Sequence, residues 1–167
     1  MLKIKILIGL LLSCCLAMAA SKVAASSLPS PQGRVVLTVT GALTNRNTAD
    51  AAEFDLAMLE QLPQHKLTTT TPWTEGPQTF RGVLLRDLLA AVGARGQTLM
   101  ARALNDYAIE FPAADGTSYE VLLALRHNGK PMSVRDKGPI WVVYPDDTGL
   151  SQARDRMIWQ LRSLAVR

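Results

Sequence analysis

The sequence predicts a single β-rich α+β domain, and three features carry that prediction. Short β-branched or alternating segments recur along the chain, one clear amphipathic helix stands among them, and no internal repeat is present. With the leader described next set aside, about 148 residues remain, one domain's worth of chain and enough to bury a core without covalent staples.

Met1 to Ala19 carries Lys3 and Lys5, an apolar run from Ile6 to Leu12, and small residues ending in Ala17-Met18-Ala19. A positive start, a short apolar stretch and an A-x-A site in that order make a secretory signal, too short to remain across a bilayer. Residues 1–19 are therefore expected to be removed on export to the periplasm. A rival reading processes Leu11-Leu12-Ser13-Cys14 as a lipoprotein site and leaves a lipidated Cys14. Cleavage after Ala19 removes both cysteines, Cys14 and Cys15, so the mature chain has no disulfide, no thiolate nucleophile and no thiolate ligand. Loss of Lys3 and Lys5 takes the net charge from +4 to +2, which is not the balance of a nucleic-acid binder.

Residues 20–33 are rich in Ser, Ala and Pro without apolar period and read as a flexible leader to a domain at 34–167. Val35 to Gly41 is a strand, with Val35, Leu37 and Val39 on one face and glycine ending it. Ala57 to Leu62 is a short helix, with Asp55 as N-cap and Pro63 as stop. His65 to Thr71 is too β-branched for a helix and reads as a strand that runs into an irregular loop at Pro72 to Gln78. Leu84, Leu85, Leu88, Leu89 and Val92 recur at helical spacing, and Gly93 stands at the left-handed C-cap position. Leu99 to Leu104, Ala108 to Phe111, Val121 to Leu125, Ile140 to Tyr144 and Met157 to Val166 have strand character. Asn128-Gly129 is a hairpin signal, because a type I′ turn needs positive φ at both central positions.

No catalytic signature is present: the chain lacks G-x-S-x-G, H-E-x-x-H, C-x-x-C and a Gly-rich phosphate loop. His65 and His127 are 62 positions apart with no acid pair at ligand spacing, so no metal set is assigned. Asp146-Asp147 reads as a turn, and Asp106 with Glu110 makes no defensible acid-base pair. What remains are aromatic and polar residues at loop positions, where binding sites concentrate. Trp73, Thr74, Glu75 and Gly76 form one group, and Asn105, Asp106 and Tyr107 another. Trp73 is either a plug at the edge of the core or a stacking face for a flat heterocycle, with Glu75 or Asp106 accepting the N–H groups of an aminopyrimidine edge. Trp141 and Trp159 fall within strand patterns and read as core. Arg154 and Arg156 either reach a polar ligand tail or form surface ion pairs.

The order of several segments resembles a known family. Phe80-Arg81-Gly82-Val83-Leu84-Leu85-Arg86-Asp87-Leu88-Leu89, Ala103-Leu104-Asn105-Asp106-Tyr107, Asn128-Gly129-Lys130-Pro131, Gly138 to Pro145 and Ile158-Trp159-Gln160-Leu161 resemble the sulfite-oxidase-type molybdopterin-binding domain, from about Val35 to the C-terminus. The resemblance implies that β-rich fold. It also implies that, in catalytic members, a cysteine about ten residues before the aromatic-x-Gly segment binds molybdenum, and that position here is Thr70. A hydroxyl cannot replace a soft thiolate on this metal. The chain thus resembles the short exported branch that lacks the cysteine, whose members bind pterins and regulate membrane-bound cyclic-di-GMP enzymes. What that implies is a non-enzymatic periplasmic protein with a pterin as ligand and the sensor domain of a membrane-bound cyclase or phosphodiesterase as partner. Its pterin-contacting set would be Trp73, Thr74, Glu75, Asn105, Asp106, Tyr107 and Arg156. The alternative is a molybdopterin-dependent oxidoreductase or a subunit of one.

Overall fold

Two five-stranded sheets share one core in the computed structural model, which describes residues 28–167. The expectations for residues 1–19, and for the leader up to residue 27, lie outside the described residues.

The first sheet runs β2 (Ala51–Asp55), β1 (Val35–Gly41), β10 (Leu161–Val166), β5 (Thr98–Ala103) and β6 (Ala108–Pro112). The second runs β3 (Gln64–Thr69), β4 (Gln78–Leu84), β7 (Leu122–His127) and β8 (Lys130–Pro131), and β9 (Trp141–Val143) also pairs with β7. Most neighbours are antiparallel, but β10 joins β1 in parallel. The last strand thereby enters between the first strand and β5, with Leu161 opposite Ala103.

Alternation buries one face of each strand, as in β1, where Leu37 and Val39 are fully buried and Val35 is exposed at the start. Leu37, Val39, Phe54, Leu99 and Phe111 of the first sheet pack with Val83, Leu123, Leu125 and Val142 of the second. The opposite face of the second sheet carries a separate cluster of Phe80, Leu84, Leu122, Ala124, Trp141 and Val143, capped by Leu67, Trp73 and Trp159.

Helix α1 (Leu56–Gln61) begins where expected, because the Asp55 carboxylate accepts from Met58 N at 2.8 Å. The same carboxylate accepts from Gln32 N and Gly33 N, and Leu28 N donates to Arg46 O, so residues 28–33 of the leader segment are fastened to the domain. Hydrogen bonds from Met58 and Gly33 hold the Asp55 carboxyl below its ordinary value against the opposing effect of burial, with Gln32 adding to them. Helix α2 (Leu85–Ala91) ends in left-handed Gly93, where a Cβ would lie 1.8 Å from Thr44 Oγ1. A third short helix, α3 (Asp115–Ser118), lies at a position that the sequence pattern does not mark. Among the described residues no helix is long and apolar enough to cross a membrane.

Two strands carry no signal in the sequence pattern. β2, Ala-Ala-Glu-Phe-Asp, has little strand propensity and is held by pairing with β1. β4 is diluted by Arg81 and Gly82, yet it is paired on both edges, to β3 and to β7. Gly82 permits this: a Cβ there would stand 2.0 Å from Leu123 O. The expected final strand from Met157 begins only at Leu161, because Gln160 adopts φ 53°.

Candidate functional site

A cavity of about 350 Å³ opens where three irregular segments meet beside the tryptophan cluster. The loop after β3 supplies Trp73, the β5–β6 turn supplies Asn105 and Tyr107, and the segment before β10 supplies Arg154, Met157, Ile158 and Trp159. Pairing of β10 with β5 brings the last two together, since Leu161 lies opposite Ala103 and Leu104 N donates to Gln160 O at 3.0 Å. Trp73 meets Trp159 edge to face, centroids 4.6 Å apart at 82°, and lies 6.1 Å from Trp141. The Arg154 guanidinium carbon sits 5.8 Å from the Trp73 ring centroid, and Lys137 Nζ sits 5.5 Å from Trp141 and 5.7 Å from Trp159. Met157 and Ile158 are buried and form an apolar floor, whereas Tyr107 is 53% exposed at the mouth.

The loop that carries Trp73 is pinned by an acid. Asp146 Oδ1 accepts from the Thr70 hydroxyl at 2.7 Å and the Thr69 hydroxyl at 3.1 Å, and both carboxylate oxygens accept from Thr70 N at 3.1 Å. Gln152 Nε2 donates to Thr70 Oγ1 at 2.8 Å. Partial burial works against ionisation of Asp146, but the bonds from Thr70, Ser151 and Thr69 outweigh it and hold the carboxyl below its ordinary value. Gln152 on Thr70 and Arg154 on Trp73 thus zip the segment before β10 to the loop after β3.

A second node anchors the same segment from behind. The Tyr144 hydroxyl and Arg156 Nη1 both donate to Asp115 Oδ2, each at 2.8 Å. Tyr144 is fully buried, and burial followed by the Asp115 hydrogen bond and charge pushes its phenol far above the ordinary value. It remains a proton donor wherever the fold survives. Arg156 is therefore spent on Asp115 of α3.

Of the residues singled out from sequence, Trp73, Asn105 and Tyr107 come together in the cavity. Thr74 lies outside its lining and bonds within its own loop, its hydroxyl 2.9 Å from that of Thr71. Glu75 is exposed and its backbone carbonyl accepts from Gln78. Asp106, at φ 65°, turns outward to Arg162 at 3.2 Å. Trp159, read as core, is partly buried and forms a wall of the cavity. Met157 and Ile158 line the cavity although their strand pattern gives no sign that the chain leaves the sheet there. His65 pairs with Asp87 at 2.9 Å, and His127 stacks on Phe80 and lies 3.0 Å from Gln78 Oε1. Among the described residues no group of three His, Cys, Asp or Glu side chains is arranged to hold a metal ion.

The sequence matches the oxidoreductase molybdopterin binding domain over residues 31–161. The chain belongs to that family. No curated protein matches it by sequence. Thr70, which the resemblance sets where catalytic members carry a cysteine, is the position to test for fit to a metal-bearing cofactor. Its hydroxyl donates to Asp146 and accepts from Gln152, and it is a neutral, hard donor where molybdenum selects a soft anionic one. Thr70 does not fit the role of a molybdenum ligand.

Proposed function

We propose that this member of the molybdopterin-binding domain family is a non-enzymatic pterin-binding protein of the periplasm. In this reading it presents its liganded form to the sensor domain of a membrane-bound cyclic-di-GMP cyclase or phosphodiesterase. The observation that carries the reading is the cavity walled by Trp73 and Trp159, with Trp73 three positions along the loop from a Thr70 that is unsuited to metal.

A pterin is flat, aromatic and bears a polar aminopyrimidine edge. Aromatic walls and the Met157–Ile158 floor suit the ring, and the Asn105 amide offers donor and acceptor together for the edge. Asn105 Oδ1 already accepts from Tyr107 N at 3.2 Å, which orients the amide and leaves its N–H groups and a second lone pair free for ligand. Arg154 and Tyr107 stand at the mouth, where the tail of a substituted pterin would emerge. For signalling, the liganded form must bind its partner more tightly than the empty one, since a ligand shifts an equilibrium only by its differential affinity.

The test is to purify the protein from its own host, denature it, and assay the extract for fluorescent pterin and for molybdenum, with pterin titrations of the refilled protein followed by tryptophan quenching. Pterin without molybdenum, and quenching lost in Trp73→Leu, is expected. The family's name favours the oxidoreductase alternative, and stoichiometric molybdenum would establish it. Absence of both pterin and quenching would reduce the chain to a fold that acts by protein contact.

A further inference from the structure

A larger groove, of about 560 Å³, lies on the other face of the second sheet. Across β3, β4 and β7, Leu67 pairs with Phe80 and Phe80 with His127, and this row faces the tryptophan cluster. The next row, Lys66, Arg81 and Arg126, points the opposite way. Lys66 is directly opposite Arg81 and Arg81 directly opposite Arg126, so three cations stand in line on neighbouring strands.

Strands lie about 4.8 Å apart, and like charges directly opposite one another are destabilising. The arrangement is also not a default of strand geometry. Arg81 pairs with Arg126 but Gly82 pairs with Ala124, so Leu125 is an extra residue, and this bulge moves Arg126 off the aromatic face that Ala124 and Trp141 share. Only Arg126 of the three has a carboxylate partner among the described residues, Glu60 Oε1 at 3.1 Å. Lys66 and Arg81 form no ion pair there. Thr79, two residues before Arg81 on β4, lines the same groove and adds a hydroxyl.

We infer that this groove binds a small molecule carrying at least two anionic groups, carboxylate or phosphate, that bridge Lys66, Arg81 and Arg126. Such a ligand converts the repulsion in the row into charge-assisted hydrogen bonds, with the guanidinium forks matching either oxyanion. The volume is that of a small-ligand site. The groove and the tryptophan cavity are on opposite faces of one sheet, so this site is independent of the pterin reading.

The experiment follows amide NMR shifts of the mature protein at constant ionic strength during titration with sodium pyrophosphate and, separately, with citrate. Saturable shifts confined to the groove ends of β3, β4 and β7 are expected with at least one of them, the tighter ligand assigning phosphate or carboxylate chemistry. Arg81→Gln should weaken binding by about tenfold or more, the loss of one charge-assisted contact, and Arg135→Gln should leave it unchanged. Because Arg81→Gln relieves repulsion, its melting temperature should equal or exceed that of the parent, which separates lost binding from lost folding. The inference is overturned if neither anion gives saturable shifts up to about 10 mM, or if Arg81→Gln binds as the parent does. It is equally overturned if only phosphatidylglycerol vesicles bind, which would make the row a membrane-facing patch.

Discussion

Tyr144→Phe isolates the node that holds the cavity wall in place. The substitution keeps the ring, which is fully buried, and deletes only the hydroxyl that donates to Asp115 Oδ2 at 2.8 Å. A hydrogen bond to a charged acceptor is worth about 1.5–3 kcal/mol. Asp115 Oδ2 keeps its bond from Arg156 Nη1 in the variant, so the expected loss is near the lower part of that range, about 2 kcal/mol. In a domain of this size that lowers the melting temperature by roughly 6–10 °C and the urea midpoint by about 1 M. The pH dependence adds an independent signature. Burial, then the Asp115 bond and charge, raise the folded phenol above its ordinary value of 10.0, so its contribution is complete below pH 10 and is lost as the unfolded phenol ionises. By pH 11 the parent should have lost about 1.4 kcal/mol that Tyr144→Phe does not lose. Urea melts at pH 7 and at pH 11, read by far-UV circular dichroism, measure both quantities. A midpoint within about 0.2 M of the parent at pH 7, or parallel alkaline losses in the two proteins, would refute the assignment.

Three further substitutions probe the same fold and site. Gly82→Ala forces a Cβ to within 2.0 Å of Leu123 O, a backbone atom that cannot swing aside, so it should cost about 3 kcal/mol or more and cut soluble yield; a urea midpoint near the parent's would show that β4 and β7 can separate at little cost. Asp146→Asn removes a carboxyl whose folded value lies below its ordinary 3.8, so the stability it supplies is present above that pH and disappears as pH falls through the folded value. The variant should lose about 1 kcal/mol at pH 7, a small figure because the group is exposed, and its melting temperature should fall less steeply below pH 4 than the parent's; superimposable acid profiles would count against the Thr70 pinning. Arg154→Gln should leave stability within about 0.5 kcal/mol, since that side chain is exposed and lies over the Trp73 ring without an ion pair among the described residues, while weakening acidic-tailed pterins about tenfold in quenching titrations. Equal affinity for acidic and neutral pterins in the parent would remove Arg154 from the site.

Strand β1, helix α2 and the β7–β8 hairpin were legible in the sequence because their signals are local. Alternating β-branched residues, leucines at helical spacing before a left-handed glycine, and Asn128-Gly129 at φ 48° and 80° each act over a few residues. β2 and β4 were not, since Ala-Ala-Glu and Arg-Gly carry no strand preference and are extended only because partners on other strands complete their hydrogen bonds. The candidate site divides in the same way. Trp73, Asn105 and Tyr107 could be picked out as aromatic or amide residues on loops, and the fold gathers them. Arg156 and Asp106 bear equally suggestive chemistry, yet Asp115 and Arg162, 41 and 56 positions away, claim them.

The order of residues alone was enough to carry the family resemblance and the β-rich class, because both depend on which residues occur and in what order. The tertiary structure decided everything that depends on direction and register. Insertion of β10 beside β5 set Trp159 against Trp73 across a cavity, and one extra residue at Leu125 turned Arg126 into line with Lys66 and Arg81. A bulge or a long-range pairing changes which way a side chain points without changing its neighbours in the chain, and so leaves no trace in local pattern.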